Sequence, residues 1–363
     1  MNTKIKMLNY IAKDKDIFVG LEDSKVSWKL AVRCEKMLIH QTSMPAKYAD
    51  LTGYFRNNYP GCRIHVMYEA GFRGFGLHDS LVKDNIACVV VPPHTLTEEK
   101  ANRVKTDRID ARRIAQNLEN GDYKICHVPD AQRREDRQIS RTLEGVQKTI
   151  VQTRNRIWKM LDSHGIAVPF SKQHPGKADI RQLRHLEMSP PLAISLAVDL
   201  DILEMLWEQD QKLRDNLKQM AKSERYKKTF ELLHSTPGVG WFTAIRLVLE
   251  WGEDLTRFAN RRKIASYVGL TCSEYSTGET VRRGHLTGLG HRRSRQWLIE
   301  STWVAIRKDS ALREKYNRVY HNSGSKKKAI VATARKLVGR ILYCVTHSEP
   351  YTPGLVAIEY GKA

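Results

Sequence analysis

Residues 105–118, KTDRIDARRIAQNL, set two carboxylates three positions apart in a chain that is otherwise strongly basic. Read as a helix, the segment places Ala111, Ile114, Ala115 and Leu118 on one apolar stripe at i, i+3, i+4 and i+7. Asp107 and Asp110 fall on the same side one turn upstream, so the pair points toward the body of the protein. One reading is helix capping, with Asp107 as N-cap and Asp110 at N3, both favoured by the positive end of the helix dipole. The other makes the two aspartates half of a divalent-metal site, which needs further acids from elsewhere in the chain.

The segments upstream offer them. Residues 17–22 (IFVGLE) are apolar until the last, as in a central strand covered on both faces, and they end in Glu22. Residues 28–32 and 37–41 follow as hairpin strands, a helix covers residues 48–57, and residues 62–69 (CRIHVMYE) form another strand, closed by Glu69. A glycine-punctuated helix over residues 70–84 leads to a short buried strand, IACVVV (86–91), and an irregular stretch then runs into the helix of Asp107 and Asp110. Hairpins first, then strands alternating with helices, describe a mixed α/β sheet. Glu22 and Glu69 close strands that can be neighbours, so four acids can converge. In a cationic protein such a cluster repels itself without a hard cation, Mg2+ or Mn2+, which takes oxygen ligands and can clamp both sides of a phosphoryl transfer.

The 363 residues predict two or three domains. Lys and Arg number 61 against 40 Asp and Glu, a formal charge of +21, and this excess predicts a polyanionic partner, nucleic acid first. The six cysteines lie far apart with no C-x-x-C pair, as reduced thiols do, and give no zinc site. The N-terminal residues carry charges throughout with no signal-peptide core, and the longest apolar run, IACVVVPP, is far short of a membrane span. A cytoplasmic protein, nucleoid-associated when bound to DNA, is expected.

From residue 131 to about 164 the chain reads as a long charged helix in which Ile139, Leu143, Val146, Ile150, Thr153, Ile157 and Met160 step by 4-3-4-3-4-3, a coiled-coil seam. A second long helix carries Leu203, Leu206, Leu213, Leu217 and Met220, interrupted by Asp210. The two either fold on each other as a hairpin or pair between subunits. Residues 230–252 (FELLHSTPGVGWFTAIRLVLEWG) have a helix-hairpin-helix pattern, in which Gly238 and Gly240 let backbone N–H groups approach a phosphate or simply form a structural turn.

Residues 269–298, GLTCSEYSTGETVRRGHLTGLGHRRSRQWL, read as a long functional loop. Ser273, Ser276, Thr277 and Thr280 supply hydroxyls among Arg282, Arg283, Arg292, Arg293 and Arg295. A hydroxyl attacking a phosphodiester needs that setting; a phosphate-gripping turn without chemistry would look the same. Lys326, Lys327 and Lys328 open a final amphipathic, basic helix suited to backbone contacts.

Five stretches together carry a family resemblance: FVGLEDSK (18–25), YEAGFRGFGL (68–77), RVKTDRIDARRIA (103–115), TPGVGWFTA (236–244) and the loop just quoted. Over nearly its whole length the chain resembles the bacterial insertion-sequence transposases of the DEDD-plus-serine type, the IS110 family and more closely its IS1111 branch. The resemblance implies a RuvC-like domain of RNase H fold over residues 1–128, coiled-coil dimerisation helices over 129–226, and a mainly helical transposase domain with the helix-hairpin-helix and nucleophile loop over 227–363. It implies that Glu22, Glu69, Asp107 and Asp110 hold the metal while a serine hydroxyl joins covalently to DNA. It further implies a noncoding bridge RNA pairing with donor and target DNA, and a homo-oligomer, dimer or tetramer.

Three departures mark this chain. The first acid is usually Asp, and here Glu22 precedes Asp23, so strand register decides between them in favour of one face. Cys272 replaces a proline. The position matching the nucleophilic serine is Thr277, with Ser276 just before it, so both are candidates. A metal-dependent nuclease or junction resolvase using water, and a catalytically inactive nucleic-acid-binding relative, are the alternatives.

Overall fold

Strand β1 (Asp16–Asp23) is central because its neighbours reach it by two kinds of connection. Tight turns bring β2 (Ser27–Cys34) and β3 (Met37–Pro45) back antiparallel, whereas β4 (Arg63–Glu69) and β5 (Ala87–Val91) return parallel after the helices α1 (Tyr48–Asn58) and α2 (Gly76–Lys83). The sheet order is β3-β2-β1-β4-β5, a mixed sheet consistent with an RNase H-like α/β domain. The computed structural model describes residues 14–93, 96, 106–171, 175–275, 280 and 282–354, with Arg283 described by its backbone alone. These divide into two units, Met1–Pro129 and Asp130–Ala363.

Alternation along β1 gives the sheet two apolar faces. Ile17, Val19 and Leu21 join Trp28, Leu30, Val66 and Tyr68 against Leu51 and Phe55 of α1 and Leu81 of α2. On the opposite face, Phe18 and Met67 pack with Val91 against Ile114 and Leu118 of α3 (Asp107–Asn120). The stripe at Ala111, Ile114, Ala115 and Leu118 is buried. Ala111 and Ala115 bring the helix backbone so close to β1 that a Cβ on Gly20 would lie 2.2 Å from the Ala111 carbonyl oxygen.

Two local expectations are corrected. The N-cap of α3 is Thr106, whose hydroxyl accepts from the Ile109 N–H, so Asp107 and Asp110 are the first and fourth helical residues rather than N-cap and N3. The expected helix over residues 70–84 starts only at Gly76; Gly74 at φ +69° closes a turn onto the Gly71 carbonyl before it.

In the second unit α4 (Ala131–Ser163) and α6 (Pro190–Lys222) pack antiparallel within the chain. Gln147 donates to Asp210 at 3.1 Å and Arg156 Nε to Asp199 at 2.9 Å, residue pairs that run in opposite directions along the two helices. The hairpin alternative therefore holds for this pair. Leu143, Thr153 and Ile157 of the seam are buried. After α5 (Lys177–Gln182), which precedes α6, the remaining helices are α7 (Glu224–His234), α8 (Trp241–Trp251), α9 (Arg261–Tyr267), α10 (Arg292–Lys308), α11 (Ser310–Ser323) and α12 (Lys326–His347). Their core gathers around Leu247, Trp251, Leu298 and Leu337. The expected long loop is in part a hairpin, β6 (Cys272–Glu274) pairing with β7 (Arg283–Leu286), too short and polar to show an alternating pattern. No helix among the described residues is long and apolar enough to cross a membrane.

Candidate active site

Register decides how the strand-end acids face. Gly20 lies beneath α3, so Glu22, two residues on, shares that face, while Asp23 points to the other. There Asp23 accepts from Trp28 Nε1 at 2.6 Å and meets Arg73 Nε at 3.1 Å, a structural tie between β1 and the turn after β4. Burial pushes the Asp23 carboxyl above its usual range, against the Trp28 hydrogen bond and Arg73. In β4, Met67 faces α3, and Glu69 follows on the same side. The last paired residues of the parallel strands are Leu21 and Tyr68, so Glu22 and Glu69 stand next to each other at the carboxyl ends of adjacent strands.

The first turn of α3 supplies the rest. Asp110 is only 7% exposed, and Arg113, one turn on, joins it to Glu69: the guanidinium Nη2 lies 3.0 Å from the Asp110 carboxylate and 3.3 Å from that of Glu69. Asp107 is exposed. Four carboxylates without nitrogen or sulfur ligands are the donor chemistry of a hard divalent cation. Among the described residues, however, no group of three or more Asp, Glu, His or Cys is close enough to hold an ion. Arg113 is what links two of the acids, and spacing gave notice of it, because positions 110 and 113 share a helix face.

In the second unit, Ser276 and Thr277 lie outside the described residues. Arg282 is exposed and accepts through its carbonyl from the Tyr275 N–H at 2.9 Å, closing the hairpin, and Arg283 is the first residue of β7. Arg292 and Arg293 are exposed in the first turn of α10, with Arg293 Nε 2.5 Å from Glu144 of α4. Lys326, Lys327 and Lys328 are exposed in the first turn of α12. Gly238, at φ +84°, presses on α10, where a Cβ would meet the Ser301 carbonyl oxygen at 2.2 Å, so packing alone requires this glycine. Gly240, the N-cap of α8, is exposed.

The base of the hairpin loop is anchored by a buried acid absent from the expectations. Glu250 of α8, 3% exposed, meets Arg137 and, at 3.8 Å, Arg141 of α4, and lies 3.4 Å from His291 Nε2. His291 stacks on Tyr267 and accepts at Nδ1 from the Ser294 N–H, so it caps α10 while holding Glu250. Gly290 fits against the backbone of Tyr267 and Gly269. A charged pair at Arg246 and Glu250, inside an otherwise apolar helix, was the available signal.

Burial pushes the Glu250 carboxyl up, but the neighbouring His291 and the guanidinium groups of Arg137 and Arg141 outweigh it and hold the group at about 2, below its ordinary 4.5. A depressed carboxylate stabilises the fold fully above its unfolded value, and that stability drains away as pH falls through the folded value. Urea titrations between pH 4.5 and 2 should show the loss, on the order of 3 kcal/mol. Glu250→Gln should flatten this part of the profile; an unchanged slope would reject the assignment.

The comparisons with known proteins divide along the chain. A model described as transposase, of the IS110 DEDD kind, matches residues 35–166, and the model described as transposase IS116/IS110/IS902 family matches residues 230–317. The first includes Glu69, Asp107 and Asp110 and begins beyond Glu22. A transposase candidate of Sinorhizobium fredii, y4rJ, is 29% identical over 361 residues, covering 89% of this chain and 90% of its own. The transposase for insertion sequence element IS1533 of Leptospira borgpetersenii is 24% identical over 212 residues, covering 58% of this chain and 61% of its own. Matched by one model in each part and by relatives along its length, the chain is similar to the insertion-sequence transposases of the IS116/IS110/IS902 family.

Proposed function

We propose that this transposase cuts and rejoins DNA through a side-chain hydroxyl, from Ser276 or Thr277, that attacks a phosphodiester. The hydroxyl oxygen forms an ester to phosphorus, its proton is lost, and the DNA oxygen that leaves is released as a hydroxyl end; the reverse attack by another DNA hydroxyl rejoins the strand. Glu22, Glu69, Asp107 and Asp110 would hold Mg2+ or Mn2+. Such a cation, when bound, offsets charge developing on phosphate oxygens. What supports this most is the common position of Glu22 and Glu69 at adjacent strand ends on the α3 face, with Asp110 tied to Glu69 through Arg113.

Arg282, Arg283, Arg292, Arg293 and Lys326 to Lys328 would grip phosphates, together with backbone N–H groups at the Gly238–Gly240 turn. A structured bridge RNA, pairing with donor and target DNA, accounts for a charge of +21 more fully than DNA alone. Assembly as a dimer or tetramer is supported by Ile194, Val198 and Met205, exposed apolar residues along α6. The acids and the hydroxyl loop belong to different units, so the reaction would bring the two together within one subunit or across two.

The test is the covalent adduct. With labelled donor DNA, RNA from the element and Mg2+, the unmodified protein should give a protein–DNA species that survives denaturation. Ser276→Ala with Thr277→Ala should abolish it, and the single variants should assign the nucleophile. Cleavage that persists in the double variant without an adduct would instead establish water as the nucleophile. That nuclease reading is favoured by one observation, the threonine at the position matching the family's serine.

A further inference from the structure

An open groove of about 870 Å3 lies between α4, α8 and α10, within the second unit. Lys148 and Arg292, both exposed, stand along it, with Arg293 and Gln296, and Arg246 and Trp297 also line it. Arg246 is the unusual member. It is 8% exposed, its guanidinium lies 4.1 Å over the Trp297 ring, and a terminal nitrogen is paired with Glu144. Its buried Nε–H has no hydrogen-bond partner among the described residues. Leaving a buried charged donor unsatisfied is destabilising, because its desolvation is not repaid by a hydrogen bond. The guanidinium also lies 4.7 Å over the Phe242 ring, and Arg246 lines the groove, so an acceptor that reached this donor would be favoured.

The surrounding chemistry selects that group. Glu144 also holds Arg293, so two arginines are fixed in place by one carboxylate that cannot neutralise both. Lys148 and Arg292 add charge at the rim, opposed by Glu300. An anion with several acceptor oxygens matches a fixed guanidinium with a free N–H better than a carboxylate side chain or water does. The groove is open and larger than one phosphate requires, and its charges come from three helices, as befits a chain of phosphates rather than a single anion.

We infer that this groove binds the sugar-phosphate backbone of a polynucleotide strand, with Arg246 as the buried anchor on a phosphate and Lys148 and Arg292 on its neighbours. The inference rests on the nucleic-acid partner of the proposed function and not on its hydroxyl chemistry. Contacts of this kind position a strand and carry no base preference.

The test compares two double charge reversals in the full-length protein that remove equal charge. Lys148→Glu with Arg292→Glu alters the groove, and Lys227→Glu with Lys228→Glu alters an exposed face of α7. Binding of labelled mixed-sequence DNA is followed by fluorescence anisotropy across a salt series. The groove variant should lose affinity at least about tenfold more than the control, equally for different sequences, and its slope of log K against log salt should fall by about 1.5. Arg246→Gln, with its thermal midpoint checked, should weaken binding in the same sequence-independent way. Equal losses in the two reversals would overturn the inference. So would saturable binding of a free mononucleotide or inorganic phosphate that depends on Lys148 and Arg292 while polymer binding does not. If the groove variant shows the expected loss but the unmodified protein never forms an adduct, the hydroxyl chemistry falls and the groove stands.

Discussion

Glu22→Gln is expected to reduce strand cutting and joining by at least about a thousandfold, roughly 4 kcal/mol of transition-state stabilisation, while Asp23→Asn retains activity within about threefold. The contrast follows from strand alternation. Glu22 lies on the α3 face beside Glu69, and Asp23 lies behind the sheet, held by Trp28 and Arg73. Glu69→Gln and Asp110→Asn should be as damaging as Glu22→Gln, but they also break the Arg113 link and can cost stability of their own. Adduct formation and joined product in excess Mg2+, with thermal midpoints as control, measure all four. Loss of activity in Asp23→Asn with retention in Glu22→Gln would mean that the two residues have exchanged roles, and the four-acid site would have to be rebuilt around the other face.

Periodicity carried the sequence reading where burial is one-sided. The stripe of α3 and the seams of the two long helices follow from which side of an element must leave water, whereas the unbroken apolar run of β1 follows from cover on both faces. What stayed out of reach depends on partners distant in the chain. Nothing local announces that α4 closes on α6, because the same apolar seam would serve a partner in another subunit. Arg113 lies in plain view, but its role exists only because β4 delivers Glu69 to it from 44 positions away.

The α3 cap shows a different limit. Thr106 and Asp107 are both good capping residues, and a shift of one position moves the aspartates from capping the helix to standing inside it. That shift matters to function. As N-cap, Asp107 would have an oxygen committed to the helix N–H groups; with Thr106 in that place Asp107 is left exposed in the first turn, one turn before the Asp110–Arg113 pair. The buried charges of α8 were hidden for the opposite reason: Arg246 and Glu250 sit in an apolar run whose pattern predicts burial, and only their partners on α4 and at His291 make burial tolerable.

Gly20→Ala should be the most disruptive single methyl in the N-terminal unit, lowering its stability by at least about 3 kcal/mol in urea unfolding. The added carbon would stand 2.2 Å from the Ala111 carbonyl oxygen and 2.3 Å from the Ala115 nitrogen, both backbone atoms that no rotamer change can move. Helix α3 must then lift from β1, and the lift separates Asp110 and Arg113 from Glu69, so activity should fall even at temperatures where the sheet survives. The control has the opposite sign. Gly53 lies inside α1 with nothing within 4 Å of its missing Cβ, and Ala there removes backbone entropy from the unfolded chain and should stabilise by about 0.5–1 kcal/mol. If Gly20→Ala and Gly53→Ala shift the unfolding midpoint alike, the contact of α3 with β1 is looser than described. The acids on that helix would then have no fixed distance from those on the strands, and a site that depends on their meeting would lose its structural basis.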